Sequence, residues 1–98
     1  VLVSRGGIVI TASASEEAHA ETFAAMGATM SGAASAALSE FNKTGPDRIV
    51  VEGRECVLVA VDAGTKAILV VLKEGRDGVE QLLSSAEVAS RLIKETLS

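Results

Sequence analysis

The side chains that could do chemistry are few and scattered. His19 is the sole histidine, on the first turn of a long helix near the flank of its apolar stripe. No nucleophile or metal ligand sits at useful spacing from it, so a partly buried structural role outweighs general-base catalysis. Cys56, the single cysteine, opens an apolar strand and reads as an inert small hydrophobe. Glu16, Glu17 and Glu21 could suggest a cation site, but they lie at the start of a helix, where negative charge complements the dipole. The glycines of Glu74-Gly75-Arg76-Asp77-Gly78 match neither GxGxxG nor GxxxxGK[ST]; the segment reads as a loop whose Asp caps a helix. The serines fall in no Ser-His-Asp order. These residues predict no enzyme, no metal and no cofactor.

The elements that would position them are more telling. Glu16 to Asn42 reads as one long helix with almost only small residues. Ser13 and Glu16 form a capping box at its start, and Gly45-Pro46 follows its end, since proline lacks the N–H a helix needs. At about 100° per residue, Phe23, Gly27, Met30, Ala34, Leu38 and Phe41 form a core stripe. A second face carries Ala24, Ala25, Ala28, Ser31, Gly32, Ser35 and Ala36 with hardly a charge. Gly27 and Gly32 each cost about 1 kcal/mol of helix stability relative to Ala. Keeping both implies close approach of another backbone, from this domain or from a second copy.

At 98 residues the chain makes one domain, 1–98, able to bury roughly 65% of its unfolded surface. A net charge of −4 with nine dispersed Lys and Arg argues against nucleic acid or an anionic membrane as partner. The only aromatics are two Phe, so no base-stacking platform can form. The longest apolar run is too short to span a bilayer. One cysteine excludes an internal disulfide and makes the reducing cytoplasm the natural compartment. The chain begins at Val1 without Met.

Residues 1–12 read as two strands around Ser4-Arg5-Gly6-Gly7, a glycine hairpin turn. Three strands follow the helix as a meander: Arg48 to Glu52, Cys56 to Asp62 and Lys66 to Lys73. Val57 to Val61 and Ala67 to Leu72 are continuously apolar, as expected of strands covered on both faces. The first, shorter and flanked by charge, reads as an edge. Asp77 to Ser98 is an amphipathic helix with Val79, Leu82, Leu83, Ala86, Ala89, Ile93 and Leu97 on its core side and Val88 and Leu92 pointing away. The order ββαβββα gives an α+β domain with a helix on each face of the sheet.

GGIVITAS leading into an Ala/Gly helix, then RIVVEGRECVLVAVDAGTKAILVVLKEG and a closing helix, resembles the Roadblock family of dynein light chain and GTPase-regulator domains over nearly the whole chain. The resemblance implies a five-stranded antiparallel profilin-like or longin-like sheet, strand order 2-1-5-4-3. It implies a homodimer in which third strands pair edge to edge, here Ile49, Val50, Val51 and Glu52, and long helices pack, here through Ala24, Ala28, Ser31, Gly32 and Ser35. It also implies a non-enzymatic scaffold or regulator of Ras-like small GTPases and motor complexes. Most members begin with an extra helix before the first strand; this sequence reads as a departure lacking it, so whatever that helix does is not carried over.

The resulting expectation is a cytoplasmic homodimeric interaction module for a small Ras-like GTPase. Val88, Leu92, Arg54 and Arg76 are its candidate partner-binding residues. The alternative is a small-molecule-sensing domain of profilin-like or PAS-like fold, against which stands the lack of aromatic or polar residues in the core strands.

Overall fold

Glycine chemistry sets the first hairpin. Gly7 takes a φ of 88°, which an L side chain rarely adopts; its N–H donates to the Ser4 carbonyl at 3.0 Å, while Ser4 N–H donates to Ile8 at 2.8 Å. The computed structural model describes residues 1–11 and 19–97. It contains β1 (Leu2–Ser4), β2 (Val9–Thr11), α1 (Ala20–Ser39), β3 (Arg48–Glu52), β4 (Cys56–Asp62), β5 (Ala67–Glu74) and α2 (Val79–Leu97). The strands form one antiparallel sheet in the order β2-β1-β5-β4-β3. This is the profilin-like or longin-like α+β arrangement expected from the sequence. β3 and β4 occupy the residues their apolar runs marked, and β5 begins one residue later, at Ala67.

Each helix covers a different part of the sheet. Strand alternation sends Val3, Ala60, Ile68 and Val70 to one face, where they meet Ala20 and Ala24 of α1. Val57, Val59 and Val61 go to the other face, where they meet Ala86 of α2. Accordingly α1 lies over β1, β2 and β5, and α2 over β4 and β5.

Two expectations about α1 need correction. Its described span starts at Ala20 and ends at Ser39 instead of Asn42; Ser13 and Glu16, the predicted capping box, lie outside the described residues. At the C-terminus, Phe41 and Lys43 N–H groups both donate to the Leu38 carbonyl and Asn42 turns left-handed at φ 58°. Phe41, placed on the core stripe by periodicity, is therefore 74% exposed. The inward face is also rotated. Ala20, Ala24, Gly27 and Ser31 are buried, whereas Phe23, Met30, Ala34 and Leu38 are half-buried flank residues. The reason is tertiary: a methyl added at Gly27 would lie 2.6 Å from Val70 Cγ2, so the helix sits too close to β5 for any large inward side chain.

Candidate interaction surfaces

β3 is an open edge. It pairs only with β4 among the described residues, so the outer backbone groups of Ile49 to Glu52 are available to another strand. Ile49 is half-buried against the α1-side core, and Val51 shares its face because its register partner Leu58 follows Ala60 by strand alternation. Val51 is 44% exposed, and Val50, on the opposite face, is also exposed. An edge strand with bare apolar residues on both faces normally needs protection.

The helix positions expected to join that edge divide. Ala24 is fully buried between α1 and the sheet, and Ser31 is nearly so at the floor of a recess beside Ile68. Ala28 is half-buried, and Gly32 and Ser35 are exposed, but they flank the β1–β2 turn. A methyl at Gly7 would lie 3.6 Å from Ala28 Cβ, and Arg5 and Ile68 share a recess of about 170 Å³ with Ala28, Gly32 and Ser35. That turn belongs to the opposite side of the sheet from β3. The α1 flank on the β3 side carries Phe23, which packs on the same core as Ile49 and Leu58, followed at helical spacing by Met30 and Ala34.

On α2, Val88 and Leu92 are 55% and 59% exposed, as expected, and line a shallow groove of about 410 Å³ with Ser84, Ser85 and Ala89. Glu87, on the other flank, pairs with Arg48 of β3. Val88 and Leu92 therefore face solvent on the side of α2 away from β3, while α2 packs mainly on β4 and β5. Val9 packs on the α1 side, so alternation turns exposed Ile8 and Ile10 to the opposite face of the sheet. Arg54 and Arg76 are exposed, and Arg76 reaches Glu52 of β3 at 3.5 Å, an ion pair of little energetic weight at such exposure.

Sequence reasoning missed one cluster. Arg5 pairs with Asp62 and donates to the Gly64 carbonyl, and Lys94 Nζ stands 3.3 Å from the second Asp62 oxygen. They line a polar cleft of about 670 Å³ with Thr44, Asp47 and Thr65. Both cations are committed to one carboxylate, so the cluster ties the β1–β2 turn, the β4–β5 turn and the end of α2 together. Its members are far apart in sequence, and no spacing signal could have linked them.

His19 is exposed, with its ring 6.4 Å from that of Phe23. Cys56 is half-buried, and its carbonyl closes the β3–β4 turn by accepting from Gly53 N–H at 2.9 Å. Among the described residues no three His, Cys, Asp or Glu gather as a metal site, and no helix is long and apolar enough to cross a membrane.

A family model described as Roadblock/LC7 domain matches residues 1–73. The chain belongs to the Roadblock/LC7 family. Solved structures agree on the fold. A Roadblock/LC7 domain from Streptomyces avermitilis superposes with a TM-score of 0.90 at 23% identity, covering 99% of this chain and 82% of that one. Myxococcus xanthus MglB follows at 0.76 and 21%, covering 98% and 81%. An MglB with a tetrameric arrangement gives 0.72 and 18%, covering 97% and 73%. No curated protein is significantly similar in sequence. Within this Roadblock/LC7 domain Val50 and Val51 are exposed at the β3 edge, Val88 and Leu92 on the outer face of α2, and Ile8 and Ile10 at the β2 end of the sheet.

Proposed function

We propose that this Roadblock/LC7 domain is a homodimeric, non-catalytic module that scaffolds or regulates a Ras-like small GTPase in the cytoplasm. The observation that carries the reading is the β3 edge. Ile49, Val50, Val51 and Glu52 offer a strand paired on one side only among the described residues, with Ile49 and Val51 on the α1 side of the sheet, and α1 has one charged residue, Glu21, between Ala20 and Ser39. A second copy related by a two-fold axis would extend the sheet across the edge and bury both strands at once, because a two-fold contact presents the same patch twice. On this geometry the helix contribution comes from Phe23, Met30 and Ala34, while Ala28, Gly32 and Ser35 stay on the far flank.

GTPase regulation is the role the family resemblance implies, and the arrangement of side chains is compatible with a purely binding contribution. Arg76 is held beside Glu52, and Arg54 sits in a solvent-exposed turn. Neither is backed by a second group that would aim it at a phosphate, so any change in hydrolysis would come from ordering the GTPase's own switch segments. Val88 and Leu92 supply the apolar surface for the heterologous partner. The direct test is binding of the purified domain to a panel of small GTPases loaded with GDP or a non-hydrolysable GTP analogue, with sedimentation of the domain alone. Binding to a GTPase that depends on its nucleotide, by a dimer, supports the proposal; a monomer that captures no GTPase in either state refutes it.

A further inference from the structure

We propose that Asp77 is a modification site, where the backbone isomerises spontaneously to isoaspartate in the folded protein. The reaction needs an aspartate carboxyl free to be attacked and a following amide nitrogen that is neither shielded by a side chain nor engaged in a hydrogen bond. The chain has three Asp and one Asn, and at all but one the following amide is hydrogen-bonded or carries a bulky side chain. Asp62 carries Arg5 and Lys94 on its carboxylate, and the next amide, that of Ala63, donates to the Ala67 carbonyl at 3.1 Å. The amide after Asn42, that of Lys43, donates to Leu38 at 3.0 Å. Asp47 is followed by Arg48, whose side chain crowds the nitrogen and pairs with Glu87.

At Asp77 both conditions are met. The next residue is Gly78, with no side chain and a φ of 72°. Both residues are exposed in the turn between β5 and α2. Among the described residues the Asp77 carboxylate has no ion-pair or hydrogen-bond partner, and the Gly78 N–H has no acceptor. The turn is fixed on either side, by Gly75 N–H donating to Glu55 at 2.6 Å and by Leu82 N–H donating to the Gly78 carbonyl at 3.0 Å, so the reacting peptide is the loose link.

The Gly78 nitrogen attacks Asp77 Cγ; the new C–N bond closes a five-membered succinimide, and one carboxyl oxygen leaves as water, taking the amide proton and one proton from solvent. Water then opens the ring. Attack at the carbonyl derived from Cγ restores Asp77, and attack at the former main-chain carbonyl leaves the chain running through Cβ and Cγ with a free α-carboxylate. No electron is gained or lost, and the mass is unchanged. The path into α2 gains one carbon, which shifts Gly78 from its bond to Leu82 and Arg76 from Glu52.

The full chain is held folded at neutral pH, then digested with an endoproteinase that cuts before Asp and not before isoaspartate. The expected result is progressive loss of cleavage at Asp77 with no mass change, retained cleavage at Asp47 and Asp62, and methyl labelling by a protein isoaspartyl methyltransferase that D77E abolishes. Complete cleavage at Asp77 throughout, equal loss at all three aspartates, or isomerisation only in urea-unfolded chain would each overturn the proposal.

Discussion

Gly27 and Gly32 lie five residues apart on one helix, and changing each to Ala should move stability in opposite directions. A Cβ at Gly27 would stand 2.6 Å from Val70 Cγ2, roughly 1 Å inside the normal carbon–carbon contact. Val70 is fully buried and β-branched, so its side chain has little freedom to turn away. Relief therefore requires α1 to lift from the sheet, an overpacking cost of about 1–3 kcal/mol. Gaining alanine's helix propensity returns about 1 kcal/mol, leaving G27A less stable by about 1 kcal/mol. At Gly32 nothing lies within 4 Å of the added carbon, so G32A gains the propensity with no clash. Because the propensity gain is common to both, the difference between the variants isolates the steric cost, about 1–3 kcal/mol in favour of G32A. Urea titrations at matched protein concentration would read it as separated midpoints with equal slopes. For a domain of this size each kcal/mol also shifts Tm by roughly 4–8 °C. If G27A proved as stable as G32A, the close packing of α1 on β5 would be wrong. If G32A itself destabilised in proportion to protein concentration, a second copy would cover Gly32 and the β3-side dimer would be wrong.

The remaining predictions concern the surfaces. V51K or M30E should convert the dimer to monomer in sedimentation, while A28E and G32E leave it intact; the reverse pattern would put the helix contact on the Ala28 to Ser35 flank. The pair V88K and L92K should leave dimerisation and Tm nearly unchanged, because both side chains are exposed, while weakening the heterologous partner in a pull-down; unfolding would show that they serve the core. R54A and R76A should retain any stimulation of GTP hydrolysis at saturating concentration, and loss of stimulation with binding intact would make the chain an arginine donor.

The family and its fold were legible because they rest on local signals. β3 and β4 were set by apolar runs bounded by turn residues, and the first hairpin by Gly6-Gly7, since a positive φ is a property of the residue itself. The edge character of β3 was legible for a similar reason: charge at both ends and shortness are written in the strand. The outward placement of Val88 and Leu92 followed from the steep amphipathic pattern of α2. α1 was harder. Its residues are nearly all small, so periodicity weighted the few large ones and turned the helix inward on Phe23, Met30 and Phe41. The inward face is instead Ala20, Ala24, Gly27 and Ser31, chosen by the protrusion of Val70 from a strand more than forty positions later. Where α1 stops was decided by Asn42 turning left-handed, and the polar cluster of Arg5, Asp62 and Lys94 by three chain segments meeting at one end of the sheet. What the sequence determined by itself was the order and approximate extent of each element and the apolar side of α2, because backbone propensity and burial pattern act over a few residues. Which helix face meets the sheet, which flank adjoins the open edge and which charges pair were decided only by tertiary structure, because shape complementarity between segments distant in sequence leaves no periodic trace within either one.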